Sequence, residues 1–164
     1  MRHAESENSP SLPAATGYRF ALVVARFNQE ITARMSDGAR EALTGAGAAA
    51  TDVEVFEVPG AFELPQAARA AAETGRFDAV VCLGCVIRGA TPHFEYISAA
   101  VAHAIQKASG ETGVPMAFGV LTTDTWAQAD ERVSSGRGNK GFEAAAAAIE
   151  MAVLFRQLRA GATR

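Results

Sequence analysis

The feature that most constrains the fold of this chain is residues 77–87, FDAVVCLGCVI, which are apolar almost throughout and do not alternate. A strand with one face in water alternates polar and apolar side chains. One without alternation must be covered on both faces, which points to a parallel sheet between helices. The next residues, Arg88-Gly89-Ala90-Thr91-Pro92-His93, read as a glycine-bounded turn into a helix. Gly89 can take positive φ or let a ligand approach the backbone closely. Thr91 suits an N-cap, and Pro92 suits the first helical position, where a missing N–H costs nothing. The N–H groups of residues 90–94 would then open a helix just beyond the carboxyl end of a strand. Oriented donors and the helix dipole attract phosphate to such a place. Gly89, Ala90 and Thr91 are therefore candidates to hold an anion, with His93 beside it. The plainer alternative is an ordinary βα turn whose glycine only permits the bend.

The rest of the chain repeats the same punctuation. Residues 1–17 read as a flexible, polar N-terminal arm, and 18–160 as a single α/β domain. A first strand is expected over 19–25, a loop at Arg26-Phe27-Asn28, and a helix over 30–46 with Ile31, Met35, Ala39, Ala42 and Leu43 at helical spacing. Residues 52–58 form a less buried strand, broken by Pro59-Gly60. A helix over 61–74 follows, then the central strand and a helix over 92–109. A fourth strand is expected over 116–121. Thr123 or Asp124 can cap a short helix over 126–133, and after a glycine-bearing break at 134–138 a last helix runs over 140–158. Strands alternating with helices give a three-layer, flavodoxin-like α/β fold around a four-stranded parallel sheet. Ligands in such folds bind beyond the carboxyl ends of the strands. Phe27-Asn28, residues 59–63, residues 85–93 and the segment from Phe118 onward are thus expected to converge on one rim.

Composition narrows the class. With 49% apolar and 20% charged residues the chain is an ordinary globular one. A net charge of −3 gives no electrostatic case for binding nucleic acid or an anionic membrane. No apolar stretch is long enough to span a bilayer, and the first residues lack the apolar core of a secretory signal. The expected compartment is the cytoplasm. Cys82 and Cys85 form a C-x-x-C, but three residues apart on a strand they face opposite ways, roughly 10 Å apart. That is beyond the ~7 Å reach of a disulfide. No second Cys or His pair completes a zinc set, so no metal is expected.

Several side chains on the expected rim suit chemistry. Phe27 offers a flat face for a heterocycle, or it packs. Glu63 stands in the first turn of a helix, where an acid is favoured by the dipole alone, and it can also accept bonds from a polyol. His93 stands at a helix start beside the candidate anion site, where an imidazole can transfer protons. Arg132, beside Asp130 and Glu131, is by default a solvated charge. Arg137 and Lys140 flank a glycine-rich turn that fails as a Walker loop, since no Ser or Thr follows the lysine and no strand precedes it.

VVARFN, VPGAFELP, LGCVIRGATPHFEY, FGVLTTDT and GNKGFEAAAAAIEMA resemble the signature segments of lumazine synthase, in order and spacing, across roughly residues 20–158. GATPH after VIR is the most specific piece. The resemblance implies condensation of 5-amino-6-ribitylaminouracil with 3,4-dihydroxy-2-butanone 4-phosphate to 6,7-dimethyl-8-ribityllumazine, with no cofactor and no metal. It implies that Phe27 stacks on the pyrimidine with Asn28 beside it. Ala61, Phe62 and Glu63 would hold the ribityl chain, as would Cys85, Val86 and Ile87 through backbone atoms. Gly89, Ala90 and Thr91 would cradle phosphate, and His93 would transfer protons. Phe118 and Lys140 would meet the pyrimidine, and Arg132 would reach the phosphate from a neighbouring subunit. The family places its sites at the interfaces of a pentamer, and some members close pentamers into a sixty-subunit icosahedral shell. Riboflavin synthase is the protein partner that the resemblance suggests.

Two departures are visible. Residues 1–17 lack the alternation of the family's N-terminal strand, and Pro10 and Pro13 cannot donate to a ladder, which weighs against their pairing with a neighbour's sheet. No insertion of the kind linked to free pentamers separates Arg132 from Asn139, which favours the shell. Three other classes compete: a non-catalytic flavin-binding shell protein, a flavodoxin-like electron carrier, and a riboflavin synthase of the same fold. The intact His93, Arg132 and Lys140 weigh against the first. The carrier would want a Ser/Thr/Gly-rich phosphate loop after the first strand, where this chain has Arg26-Phe27-Asn28.

Overall fold

In the computed structural model, which describes residues 11–162, the central run forms β3, Ala79–Ile87. Around it lie β1 (Phe20–Ala25), β2 (Val53–Val58) and β4 (Met116–Thr123), in the order β2-β1-β3-β4 and parallel throughout. Helices α1 (Gln29–Gly45), α2 (Leu64–Glu73) and α3 (His93–Thr112) cross between successive strands, and α4 (Trp126–Glu131) and α5 (Lys140–Gly161) follow β4.

Period-two alternation sends each strand's side chains into two separate cores. Phe20, Leu22, Val24, Val81 and Leu83 meet Ile31, Met35 and Leu43 of α1 and Ala145, Ala148 and Ile149 of α5. On the other face, Ala21, Val23, Val80 and Cys82 meet Leu64 and Ala68 of α2 and Val101 and Ile105 of α3. Each fully buried Leu or Val contributes roughly 2 kcal/mol, so the absence of alternation in β3 reflects burial on both sides. Edge strand β2 is covered less well, as its interspersed acids require. All five apolar positions expected on one face of α1 are buried.

Element ends differ from the expectation where caps decide them. Pro92 sits outside α3 (φ −71, ψ 6) and serves as its N-cap residue, so Thr91 lies one position too far out and its side chain makes no capping bond. Gly89 does not adopt positive φ. Neither Thr123 nor Asp124 caps α4; Thr125 does, its hydroxyl accepting the Gln128 N–H at 3.2 Å while Gln128 Oε1 accepts from the backbone N–H of Thr125 at 3.3 Å. Helix α3 runs on to Gly113, whose φ of +71 ends it. Strand β4 extends through Thr123 because Thr122 and Thr123 still pair with Val86 and Ile87.

The expected flexible arm divides. Residues 1–10, with Pro10, lie outside the described residues. The following stretch is docked: Ala15 is fully buried and its N–H donates to Ala46 O at 2.8 Å. The Thr16 hydroxyl donates to Gly47 O at 3.3 Å, and Tyr18 lies under the Arg156 guanidinium, 3.6 Å from the ring centroid. Small side chains here fit the turn that ends α1.

Candidate active site

The sheet order reverses direction between β1 and β3, so their helices leave on opposite faces and open a crevice at their carboxyl ends. Register widens it. Strand β1 pairs with β3 only as far as Val24↔Leu83, whereas β3 continues to Ile87 beside β4. A cleft of about 470 Å³ fills this gap, lined by Phe27, Ala61, Phe62, Glu63, Cys85, Val86, Ile87, Gly89, Thr91 and His93 among the expected residues. Pro59 and Gly60 complete one wall, and Phe94 and Ile97 of α3 complete the other.

Phe27 is presented by a rigid loop. Its N–H donates to Pro59 O at 3.0 Å, and Arg26 N–H donates to Val58 O at 2.8 Å. Asn28 takes the left-handed conformation (φ 60, ψ 48), which Asn tolerates better than most residues. Its side-chain amide donates to Cys85 O at 2.9 Å, tying the loop to the end of β3. The ring of Phe27 is left 70% exposed and that of Phe62 62% exposed, so neither packs the core. Asn28 is thus a brace behind the cleft and not one of its lining residues. Ala90 lies in the same loop as Gly89 and Thr91 but outside the lining.

His93 is exposed at the first position of α3. The loop before it is bracketed by a cluster that sequence reading missed. Arg88 Nε donates to Asp124 Oδ1 at 2.7 Å, Arg88 Nη1 pairs with Glu95, and the guanidinium covers the Phe94 ring 4.4 Å from its centroid. Hydrogen bonding by Arg88 holds the Glu95 carboxyl below its usual range. The available signal was an arginine and an acid seven residues apart, flanking the whole candidate anion loop. Cys82 and Cys85 are free and belong to opposite cores, as the strand geometry predicts.

Three expected residues do not reach this rim. Phe118 is the third residue of β4, which places it about 16 Å below the strand's carboxyl end. It lines a separate hollow of about 240 Å³ on the outer edge of the sheet, together with Lys140, Glu143, Ala144 and Ala147. Arg132 follows α4, and its Nη1 donates back to Gln128 O at 2.7 Å. The expected single rim is therefore two surfaces, because β4 is the far edge strand and Phe118 sits near its start. The cleft itself has neither lysine nor arginine in its lining. Arg88, the cation that adjoins the candidate anion loop, is already held by two carboxylates. Among the described residues no group of three or more His, Cys, Asp or Glu side chains is placed to hold a metal ion.

The arrangement can stack a flat ring on Phe27, bond a polyol at Glu63 and open backbone of β3, and move a proton at His93 next to helix N–H donors. It lacks a cation for a phosphate. Residues 17–156 match the family model described as 6,7-dimethyl-8-ribityllumazine synthase. The chain is also 58% identical over 144 residues to the 6,7-dimethyl-8-ribityllumazine synthase of Syntrophus aciditrophicus (strain SB), covering 88% of this chain and 94% of that one.

Proposed function

Because this chain belongs to the 6,7-dimethyl-8-ribityllumazine synthase family, we propose that it runs the family's reaction at a site shared between two copies of itself. The reaction is the condensation of riboflavin biosynthesis that joins 5-amino-6-(D-ribitylamino)uracil to 3,4-dihydroxy-2-butanone 4-phosphate and releases phosphate and water. The observation that carries the shared site is the division of groups. The rim cleft holds the ring face, the acid, the imidazole and the helix N–H donors but no cation. Arg132, Lys140 and Phe118 lie together with the far edge of the sheet. Placing the far edge of one copy over the cleft of the next supplies the missing charge. A head-to-tail contact whose rotation closes makes a ring, and in this reading the ring is a pentamer that can build an icosahedral shell.

In this reading the uracil stacks on Phe27, and its ribityl chain lies along Ala61, Phe62, Glu63 and the open backbone of residues 85–87. Residues 89–91 and the neighbour's Arg132 hold the phosphate, while the neighbour's Phe118 and Lys140 cover the pyrimidine. Bringing two bound molecules into contact supplies several kcal/mol of the barrier. The uracil's amine attacks the ketone to give an imine, phosphate departs, and the second amine closes the ring. His93 shuttles protons in imine formation and elimination. Helix N–H groups and the arginine stabilise charge growing on the leaving phosphate. A cytoplasmic location belongs to the same proposal and agrees with two unpaired cysteines.

Subunit mixing tests the shared site. His93→Ala and Arg132→Ala oligomers are each expected to be slow. Dissociated together and reassembled, they should regain activity in about a quarter of the sites, where an intact cleft meets an intact neighbour. Formation of the fluorescent lumazine reports it. No recovery in confirmed mixed oligomers would place both residues in one chain's site.

A further inference from the structure

Arg132 and Lys140 are eight residues apart, yet they stand at one neck, because Lys140 N–H donates to Arg132 O at 2.9 Å and closes the loop 133–139 between them. The loop's last residue, Asn139, is 3% exposed, one of few buried polar side chains among the described residues. Its amide is used on both sides. Oδ1 accepts from Gly141 N–H at 2.8 Å and Phe142 N–H at 3.2 Å, capping α5. Nδ2 donates to Val133 O at 3.2 Å, inside the loop, and to Arg34 O at 3.1 Å, on α1. One side chain thereby fixes the start of α5, the residue after Arg132 and the adjoining turn of α1 to one another.

The cap alone does not account for this residue. Asp or Ser would cap α5 as well, since capping needs only an acceptor. Only an amide also donates two bonds at the same point. The fold keeps space for it: a Cβ on Gly38 of α1 would lie 2.3 Å from Asn139 Oδ1 and 2.5 Å from its Cγ. The two donated bonds run to Val133 O, next to Arg132, and to Arg34 O on α1, so they set where the neck that carries Arg132 lies against α1.

We propose that Asn139 is a positioning residue for phosphate recognition: its amide sets the loop neck from which Arg132 is presented to the neighbouring copy's cleft. This rests on the proposed role of Arg132 and adds to it a residue that touches no substrate.

The test uses steady-state kinetics on the intact oligomer. Asn139→Asp keeps the acceptor for α5 and removes both donated bonds. It should raise KM for the ketose phosphate on the order of tenfold, as misplacement remote from the chemistry does. KM for the uracil should move by no more than about twofold, while kcat should fall, because Arg132 also stabilises the departing phosphate. In an Arg132→Ala background the same substitution should add almost nothing, because the group it positions is gone. Gly38→Ala, which keeps the asparagine but pushes its amide off its position from the α1 side, should likewise raise KM for the ketose phosphate more than KM for the uracil, and serves if Asn139→Asp does not assemble. Equal effects of Asn139→Asp with and without Arg132, or equal losses for both substrates, would make Asn139 a structural residue and overturn the inference alone. An Arg132→Ala enzyme with unchanged KM for the ketose phosphate would overturn both this inference and the role given to Arg132.

Discussion

At the scale of single residues, the structure separates side chains free to act from those committed to the core. Phe27 is held by backbone bonds of residues 26 and 27 and by the side-chain amide of Asn28, yet stays 70% exposed. Phe27→Ala should therefore weaken binding of the uracil substrate by about 1 kcal/mol or more, with the thermal midpoint of the oligomer unchanged. Isothermal calorimetry and a melt in parallel check the two halves of that statement. The cysteines are the opposite case. Burial pushes the Cys82 thiol up to about 12 and Cys85 up to about 11, from 9.0. Both stay protonated in the fold, while the unfolded chain ionises above pH 9.0 and so releases protons first. The stability they contribute is full below pH 9.0 and is lost as pH rises through 11 to 12. Denaturation midpoints between pH 8 and pH 11 should fall more steeply for the wild type than for Cys82→Ala. Parallel slopes would mean that the Cys82 thiol is not perturbed by burial.

At the scale of elements, one contact governs how the two helices on the first face meet. Helices α1 and α5 cross with a Cβ built on Gly141 lying 1.9 Å from Met35 O, a backbone atom that cannot step aside. Gly141→Ala should destabilise at or beyond the upper end of the ~1–3 kcal/mol typical of overpacking. Chemical denaturation at fixed protein concentration, needed because assembly adds to apparent stability, measures it. Gly119 is similarly confined: its Cβ would meet Leu83 Cδ2 at 2.6 Å and Cys82 O at 2.8 Å. The far edge of the sheet is thus brought tightly against β3 and α5, which fixes the hollow beside Phe118.

At the scale of the whole molecule, edge strand β4 is flanked by a groove of about 530 Å³ between α3 and α5, with Met116, Phe118, Met151 and Phe155 in its lining. Phe118, Met151, Leu154 and Leu158 are all exposed. An exposed strand edge with large apolar side chains is a place for another chain to dock. Light scattering after size exclusion should give a pentamer or a larger closed shell, and Met151→Glu should shift the population toward smaller species. Turnover per chain should fall with it, since each cleft then lacks its neighbour's arginine. A monomer with full activity would remove the basis for a shared site.

What the sequence determined by itself is local and periodic. The absence of alternation in residues 77–87 settled the buried parallel strand, the spacing of Ile31, Met35, Ala39, Ala42 and Leu43 settled the buried face of α1, and strand spacing settled that Cys82 and Cys85 face apart. Most of the cleft was legible for a related reason: residues just after β1, β2 and β3 must share a rim in any parallel αβ sheet. Helix caps were legible only to within a residue or two, because a hydroxyl at Thr91, Thr123 or Thr125 looks alike until backbone geometry chooses one. Tertiary structure alone decided three matters. The order β2-β1-β3-β4 put β4 at the far edge and carried Phe118, Lys140 and Arg132 away from His93. The Arg88 cluster joins residues from three separate segments, and the Asn139 amide bonds a carbonyl of α1 more than a hundred residues earlier in the chain. Periodicity reports which face of an element is buried, but not which distant element covers it, and these three arrangements depend on that pairing.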